Sequence, residues 1–262
     1  MQGLTFASKI NIKELDREIR VGAVSYLNTK PLLYGIEHSK IIHQIELTID
    51  YPARIAAKLL NGDIDLGLVP VAVIPEMKEY HINTPYCIGS DGPVGSVCLF
   101  SEVPLKNVKR VLLDYQSRTS VQLAKILLRE YWNLAPELLD AGEDFQSQIR
   151  GYTAGLVIGD PGLGQRKISP FIYDLGEAWK LHTGLPFVFA AWISNRRLPT
   201  GFVEEFSEAN RFGLANLAVL ESDTDFNGFD LHTYYTRLIS YILDQPKLLG
   251  LDLFLQKLRA KA

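Results

Sequence analysis

The side chains best suited to chemistry stand where apolar runs end. Val21-Gly22-Ala23-Val24 gives way to Ser25-Tyr26-Leu27-Asn28-Thr29-Lys30, and Pro31 opens the next element. Small and apolar residues suit a buried strand, and the donors and acceptors after them crowd its carboxyl end, where open α/β sheets bind ligands. Pro31 suits the first turn of a helix carrying Leu32, Leu33 and Ile36, whose free N–H groups face the same spot. An anion pocket is the expectation. Lys30 offers it charge. Asn28 offers a neutral donor able to orient a hydroxyl or stabilise a developing oxyanion, against its plainer reading as a turn residue.

A second polar run, Gln116-Ser117-Arg118-Thr119-Ser120, follows Val111-Leu112-Leu113-Asp114 and precedes a helix with Val121, Ala124, Leu127 and Leu128 on one side. Hydroxyl caps, free N–H groups and a guanidinium that grips carboxylates through paired bonds again suit an anion; the plain reading is an N-cap beside a solvated arginine. Ser96 follows a glycine-rich turn, where it is placed to bond a ligand, but no Gly-x-Ser-x-Gly elbow surrounds it. Asp160, in Gly159-Asp160-Pro161-Gly162, reads equally as a base or acceptor and as a local turn residue. The histidines, His38, His43, His81, His182 and His232, are dispersed, so a metal site is not expected. Cys87 and Cys98 lack metal or redox spacing and read as reduced and structural. Neither a Walker loop nor a Gly-x-Gly-x-x-Gly after a strand is present, so nucleotide cofactors are not indicated.

The elements that must position these residues follow an α/β rhythm. Strand Ile19 to Val24 and its helix are followed by Ile45 to Ile49, which alternates with period two, then by a helix opened by Pro52. Ile55, Ala56, Leu59 and Leu60 give that helix one apolar face, Asn61-Gly62 stops it, and Ile64 to Val69 is the next strand. Such alternation predicts a parallel sheet with right-handed crossovers. Ser90 to Ser96 breaks the rhythm and marks a lobe boundary; Val97 to Phe100, Val111 to Asp114 and Ala154 to Ile158 then continue as strands of a second lobe. Phe187 to Ile193 reads as the strand returning to the first lobe, with a hinge there. Phe202, Phe206, Ala209 and Phe212, then Leu231, Tyr235, Leu238 and Ile242, recur at helical spacing, so the remainder is expected to be helical. The organisation is therefore an extension over 1–18, lobe 1 over 19–98 and 194–262, and lobe 2 over 99–193.

The formal net charge of -3 and 22% charged residues describe an ordinary surface without a basic stripe, so nucleic acid is not an expected partner. No run approaches the roughly 20 apolar residues of a membrane span, and residues 1–20 lack a signal peptide's apolar core. The cytoplasm is the expected compartment.

Val21 to Leu32, with Ser-Tyr-Leu-Asn-Thr-Lys-Pro-Leu at its centre, closely resembles the opening signature of the chorismate dehydratase family of menaquinone biosynthesis by the futalosine route. Asp65 to Pro70, Gly89 to Ser96, Ser117 to Ser120, Ile158 to Pro161, and Asp174 to Trp179 through Thr183-Gly184-Leu185-Pro186-Phe187 resemble the same family in the same order. The resemblance implies a periplasmic-binding-protein-like type II fold: α/β, two lobes, a hinge and an interlobe cleft. It also implies a cofactor-free lyase that removes water from chorismate to give 3-[(1-carboxyvinyl)oxy]benzoate. In that scheme Asn28 and Ser96 supply catalytic electrostatics, while Tyr26, Ser117, Arg118, Thr119, Ser120, Asp160 and Thr183 bind substrate. Arg118 and the helix ends clamp the carboxylates, and the substrate's own enolpyruvyl carboxylate is a candidate base beside Asp160. The related 1,4-dihydroxy-6-naphthoate synthase branch shares the fold, but Tyr26-Leu27-Asn28-Thr29 stands where that branch has a motif with proline and cysteine. A non-catalytic binding protein or sensor of the same fold is the rival from outside enzymes.

Overall fold

Strand β1 (Ile19–Val24) is buried except at its ion-paired Arg20, as expected of a strand with neighbours on both sides. It comes from a computed structural model that describes residues 18–224, 226 and 229–260. The expected extension lies outside the described residues except for Glu18.

Helix α1 (Lys30–Glu37), with Pro31 in its first turn, leads to β2 (Ile45–Asp50), and α2 (Pro52–Asn61) leads to β3 (Leu66–Pro70). Gly62 ends α2 at φ 79°, a left-handed C-cap that glycine adopts without strain. The strands β2, β1 and β3 are parallel neighbours, as the alternation predicts. The sheet then changes sense. β4 (His81–Ser90) and β10 (Phe187–Ser194) pair antiparallel with each other, β10 pairs antiparallel with β3, and β11 (Ser240–Ile242) closes the far edge. The order is β11-β4-β10-β3-β1-β2.

The second sheet contains β5 (Val97–Ser101), β6 (Arg110–Leu113), β7 (Glu137–Asp140), β8 (Thr153–Ile158) and β9 (Phe171–Asp174), in the order β7-β6-β8-β5-β9. Helix α3 (Arg118–Glu130) follows β6, and α4 (Gly159–Gln165) follows β8 where a plain turn was expected. Helix α5 (Leu175–Thr183) leads back to β10. Sheet membership places Val97 and Cys98 with the second lobe and all of β10 with the first. The chain passes between the two sheets through residues 91–96 and again through α5 and the turn after it.

The C-terminal part comprises α6 (Thr200–Ala215), α7 (Leu217–Asp223), the single turn α8 (Leu231–Thr233) and α9 (Gln245–Arg259). Helix α6 packs on α1 at backbone contact: a Cβ on Gly213 would fall 1.8 Å from the Pro31 carbonyl oxygen, and one on Gly35 1.9 Å from that of Ala209. The helix expected from Leu231 to Ile242 is not continuous. A π-helical turn over Tyr234–Leu238 follows α8, and Ser240–Ile242 is strand. The free edge of β4 offers backbone partners to a segment rich in isoleucine and tyrosine, and that pairing outweighs the helical period.

Candidate active site

Between the lobes lies a narrow cleft. The first lobe lines it with Tyr26, Asn28 and Thr29, and the second with Ser117, Thr119, Ser120 and Gly159. Leu68, Ile88, Val97, Ile158 and Phe189 supply apolar walls, and none of the described lining residues carries a formal charge. Both polar mouths expected at strand ends therefore face one space.

Residues 26–29 are held in a tight turn, with the Thr29 N–H donating to the Tyr26 carbonyl at 2.9 Å. Tyr241 donates its hydroxyl to the Asn28 carbonyl at 2.9 Å, and the Thr29 hydroxyl lies 3.2 Å from Asn28 Oδ1. Ser96 is fully buried just behind the wall formed by Val94 and Val97, with its Oγ 2.8 Å from the Tyr234 hydroxyl.

Across the cleft, Ser117 caps α3, its Oγ accepting from the Ser120 N–H at 3.0 Å. Thr119 Oγ1 accepts from the Ala72 N–H of the first lobe at 3.1 Å, which leaves the threonine proton free to donate. Asp160 does not serve its own turn. Its Oδ1 accepts from the Leu27 N–H at 2.9 Å, and the Tyr26 hydroxyl bonds Gln116, so the mouths are tied together directly. Gly159, at φ 63°, lies beneath the Tyr26 ring; a Cβ there would come within 3.0 Å of ring carbons. Burial raises the Asp160 carboxyl above the usual carboxylate range, offset in part by the Leu27 N–H and Lys30.

Arg118 and Thr183, like Asp160, do not line the cleft. Arg118 Nη1 is 3.0 Å from each Glu76 carboxylate oxygen, on the outer side of the lobe contact, and does not line the cleft. Thr183 Oγ1 donates to the Trp179 carbonyl at 2.8 Å in the last turn of α5. Arg118 has a nearby acidic partner, and a threonine closing a helix bonds back to its own turn. An exposed ion pair contributes at most about 1 kcal/mol. Arg118→Ala and Glu76→Gln are accordingly each expected to raise the ligand's apparent dissociation constant by no more than about fivefold. A much larger loss confined to Arg118→Ala would place the guanidinium on the ligand.

Several site residues gave no sequence signal of their own. Tyr234 and Tyr241 sit in a stretch whose spacing reads as a helix face, and Asp114 ends an unexceptional strand. Asp114 accepts from the N–H groups of Gln116 at 2.9 Å and Ile158 at 3.3 Å. Burial nevertheless pushes its carboxyl up to about 6. A carboxyl raised on folding stabilises the fold fully below its unfolded pKa near 4, and that contribution disappears as pH climbs through about 6. Urea unfolding of wild type and Asp114→Asn at about pH 4 and pH 7 is expected to show the difference moving by about 2 kcal/mol in the variant's favour. A difference independent of pH would remove the shifted carboxyl.

Residues 19–260 match the family model described as menaquinone biosynthesis. The chain belongs to that family. Among curated relatives, the chorismate dehydratase of Thermus thermophilus is 29% identical over 263 residues, covering 91% of this chain and 94% of its own. The fold is that of periplasmic binding proteins. A protein from Archaeoglobus fulgidus matches with a TM-score of 0.70 at 16% identity, covering 95% of this chain and 99% of its own. The alkanesulfonate-binding protein SsuA from Xanthomonas axonopodis pv. citri, bound to MOPS, matches at 0.61 and 13% identity, covering 93% and 90%. The two α/β lobes expected from the sequence are thus those of a known architecture. Among the described residues no helix is long and apolar enough to cross a membrane, and no group of three or more His, Cys, Asp or Glu could hold a metal ion.

Proposed function

We propose that this member of the menaquinone-biosynthesis family is a chorismate dehydratase of the futalosine route, a carbon–oxygen lyase that releases 3-[(1-carboxyvinyl)oxy]benzoate. The observation that carries the reading is the uncharged cleft lined by Tyr26, Asn28 and Thr29 on one side and by Ser117, Thr119 and Ser120 at the N-terminus of α3 on the other. Helix N–H groups and the Thr119 hydroxyl suit the substrate's carboxylates, and the apolar walls suit its ring. In the elimination a C–H bond breaks at the carbon bearing the enolpyruvyl ether, its electron pair becomes a ring double bond, and the neighbouring C–O bond breaks. The departing hydroxyl takes a proton and leaves as water. Neutral donors such as Asn28 and Ser96 suit the charge that develops along the way. The substrate's enolpyruvyl carboxylate serves as base, since the buried Asp160 is engaged with the Leu27 N–H.

Incubation of the purified protein with chorismate, followed by ultraviolet absorbance and mass spectrometry, tests this. The expected result is catalytic loss of one water. Tight chorismate binding without product would make the protein a sensor. Turnover only of the naphthoate precursor would place it in the sister branch.

A further inference from the structure

We infer that Tyr26-Leu27 is a strap that holds the lobes together over the cleft, with Gln116 and Asp160 as its two catches, and that parting of this strap gates ligand entry and release. The inference builds on the dehydratase reading and extends it to residues that do not themselves line the cleft, namely Leu27, Gln116 and Asp160.

Two consecutive residues of the first lobe reach three points of the second. The Tyr26 hydroxyl donates to the Gln116 side-chain oxygen, the Tyr26 ring lies on Gly159, and the Leu27 N–H donates to Asp160 Oδ1 at 2.9 Å. Each catch is set by its own lobe. Gln116 donates its amide to the Tyr115 hydroxyl at 2.7 Å, which turns its oxygen toward Tyr26, and its backbone N–H is held by Asp114 at 2.9 Å. Asp160 stands in the first turn of α4. On the first-lobe side, the bond from the Thr29 N–H to the Tyr26 carbonyl fixes the strap's backbone, and Tyr241 holds the adjoining Asn28 carbonyl. Contacts between parts so firmly set are made or broken together.

The walls meet again where the Ala72 N–H donates to Thr119 Oγ1 at 3.1 Å. With opposite walls joined at hydrogen-bond distance, a carboxylated ring reaches Asn28 and Thr119 only after the lobes part. The Arg118–Glu76 pair crosses the same seam, but it is exposed and holds little. Tyr26 and Leu27 are buried, so their bonds to the catches are shielded from water and set most of the cost of opening. A gate of this kind has a distinct kinetic signature. Weakening it raises the open fraction of the free protein and also loosens the closed complex, so association and dissociation accelerate together while affinity barely moves. Loss of an ordinary ligand contact speeds dissociation alone.

The test uses Gln116→Ala and Asp160→Ala in two measurements. In ligand-free protein, amide hydrogen exchange followed by NMR is expected to show Gln116→Ala speeding exchange at both Leu27 and Ala72 by about fivefold, as for loss of one hydrogen bond, although neither amide bonds to Gln116. Faster exchange at Leu27 with Ala72 unchanged would mean that the strap frays without holding the lobes, and would overturn the inference. In stopped flow with 3-[(1-carboxyvinyl)oxy]benzoate, the product of the proposed reaction, each variant is expected to raise the association and dissociation rates together by about fivefold, with Kd within about twofold of wild type. Faster dissociation at an unchanged association rate, or wild-type rates in both variants, would overturn the gate while leaving the dehydratase reading intact. A wild-type protein that neither converts chorismate nor binds this product overturns the dehydratase reading, and the exchange measurement, which needs no ligand, then decides the strap.

Discussion

Asn28→Ala is expected to lower kcat on chorismate by about 10²–10³-fold, the usual effect of removing one preorganised donor at a developing charge. Its carboxamide lines the cleft, and its backbone is locked by the 26–29 turn and by Tyr241, so the variant removes the donor without releasing the loop. KM is expected to change by no more than about threefold, because the apolar walls and the α3 N-terminus remain. Asn28→Asp keeps the shape but places a further negative charge beside a dianion. It is expected to raise KM as well as lower kcat. Steady-state kinetics on both variants check the assignment; wild-type kcat in Asn28→Ala would remove Asn28 from the chemistry.

What could be read from the sequence was what depends on local pattern. The strand ends at Val24, Asp114 and Ile158, the Pro31 helix start, the Gly62 stop and the Ser117 cap follow from short-range rules, and those rules bring Asn28 and Thr119 to one cleft. Contacts made by distant partners left no such trace. Arg118 looked like a clamp because its charge and helix position suit a carboxylate; its guanidinium pairs with Glu76, 42 positions away. Asp160 read as a turn residue or a base, whereas its partner is a backbone N–H of the other lobe. Tyr234 was hidden because a π-helical turn and a pairing edge strand replace the helix that its neighbourhood's spacing predicts. In each case tertiary partners settled what local periodicity left open.

Asp174→Ala is expected to destabilise the protein by about 4 kcal/mol, which is large against the 5–15 kcal/mol typical of a whole fold. Asp174 ends β9 and caps α5, accepting from the N–H groups of Gly176 at 2.9 Å and Glu177 at 3.1 Å. The same carboxylate accepts from Val94 at 3.1 Å and Gly95 at 2.7 Å on the other crossing strand. One buried side chain therefore ties both interlobe connections together, immediately beside Ser96. Alanine leaves all these donors buried and without this acceptor, and an N-cap loss alone costs about 1 kcal/mol, so most of the expected effect belongs to the Val94–Gly95 side. Thermal unfolding should show a fall in Tm of roughly 10 °C for a chain of this size. Because Gly95 holds its left-handed backbone against Leu238 of the π-helical turn, releasing it should also loosen Ser96 from Tyr234. Turnover per folded molecule is thus expected to fall even where the variant remains folded. A variant that loses stability but keeps wild-type turnover would separate the hinge knot from the site, and one that keeps both would show that water replaces the carboxylate at those donors.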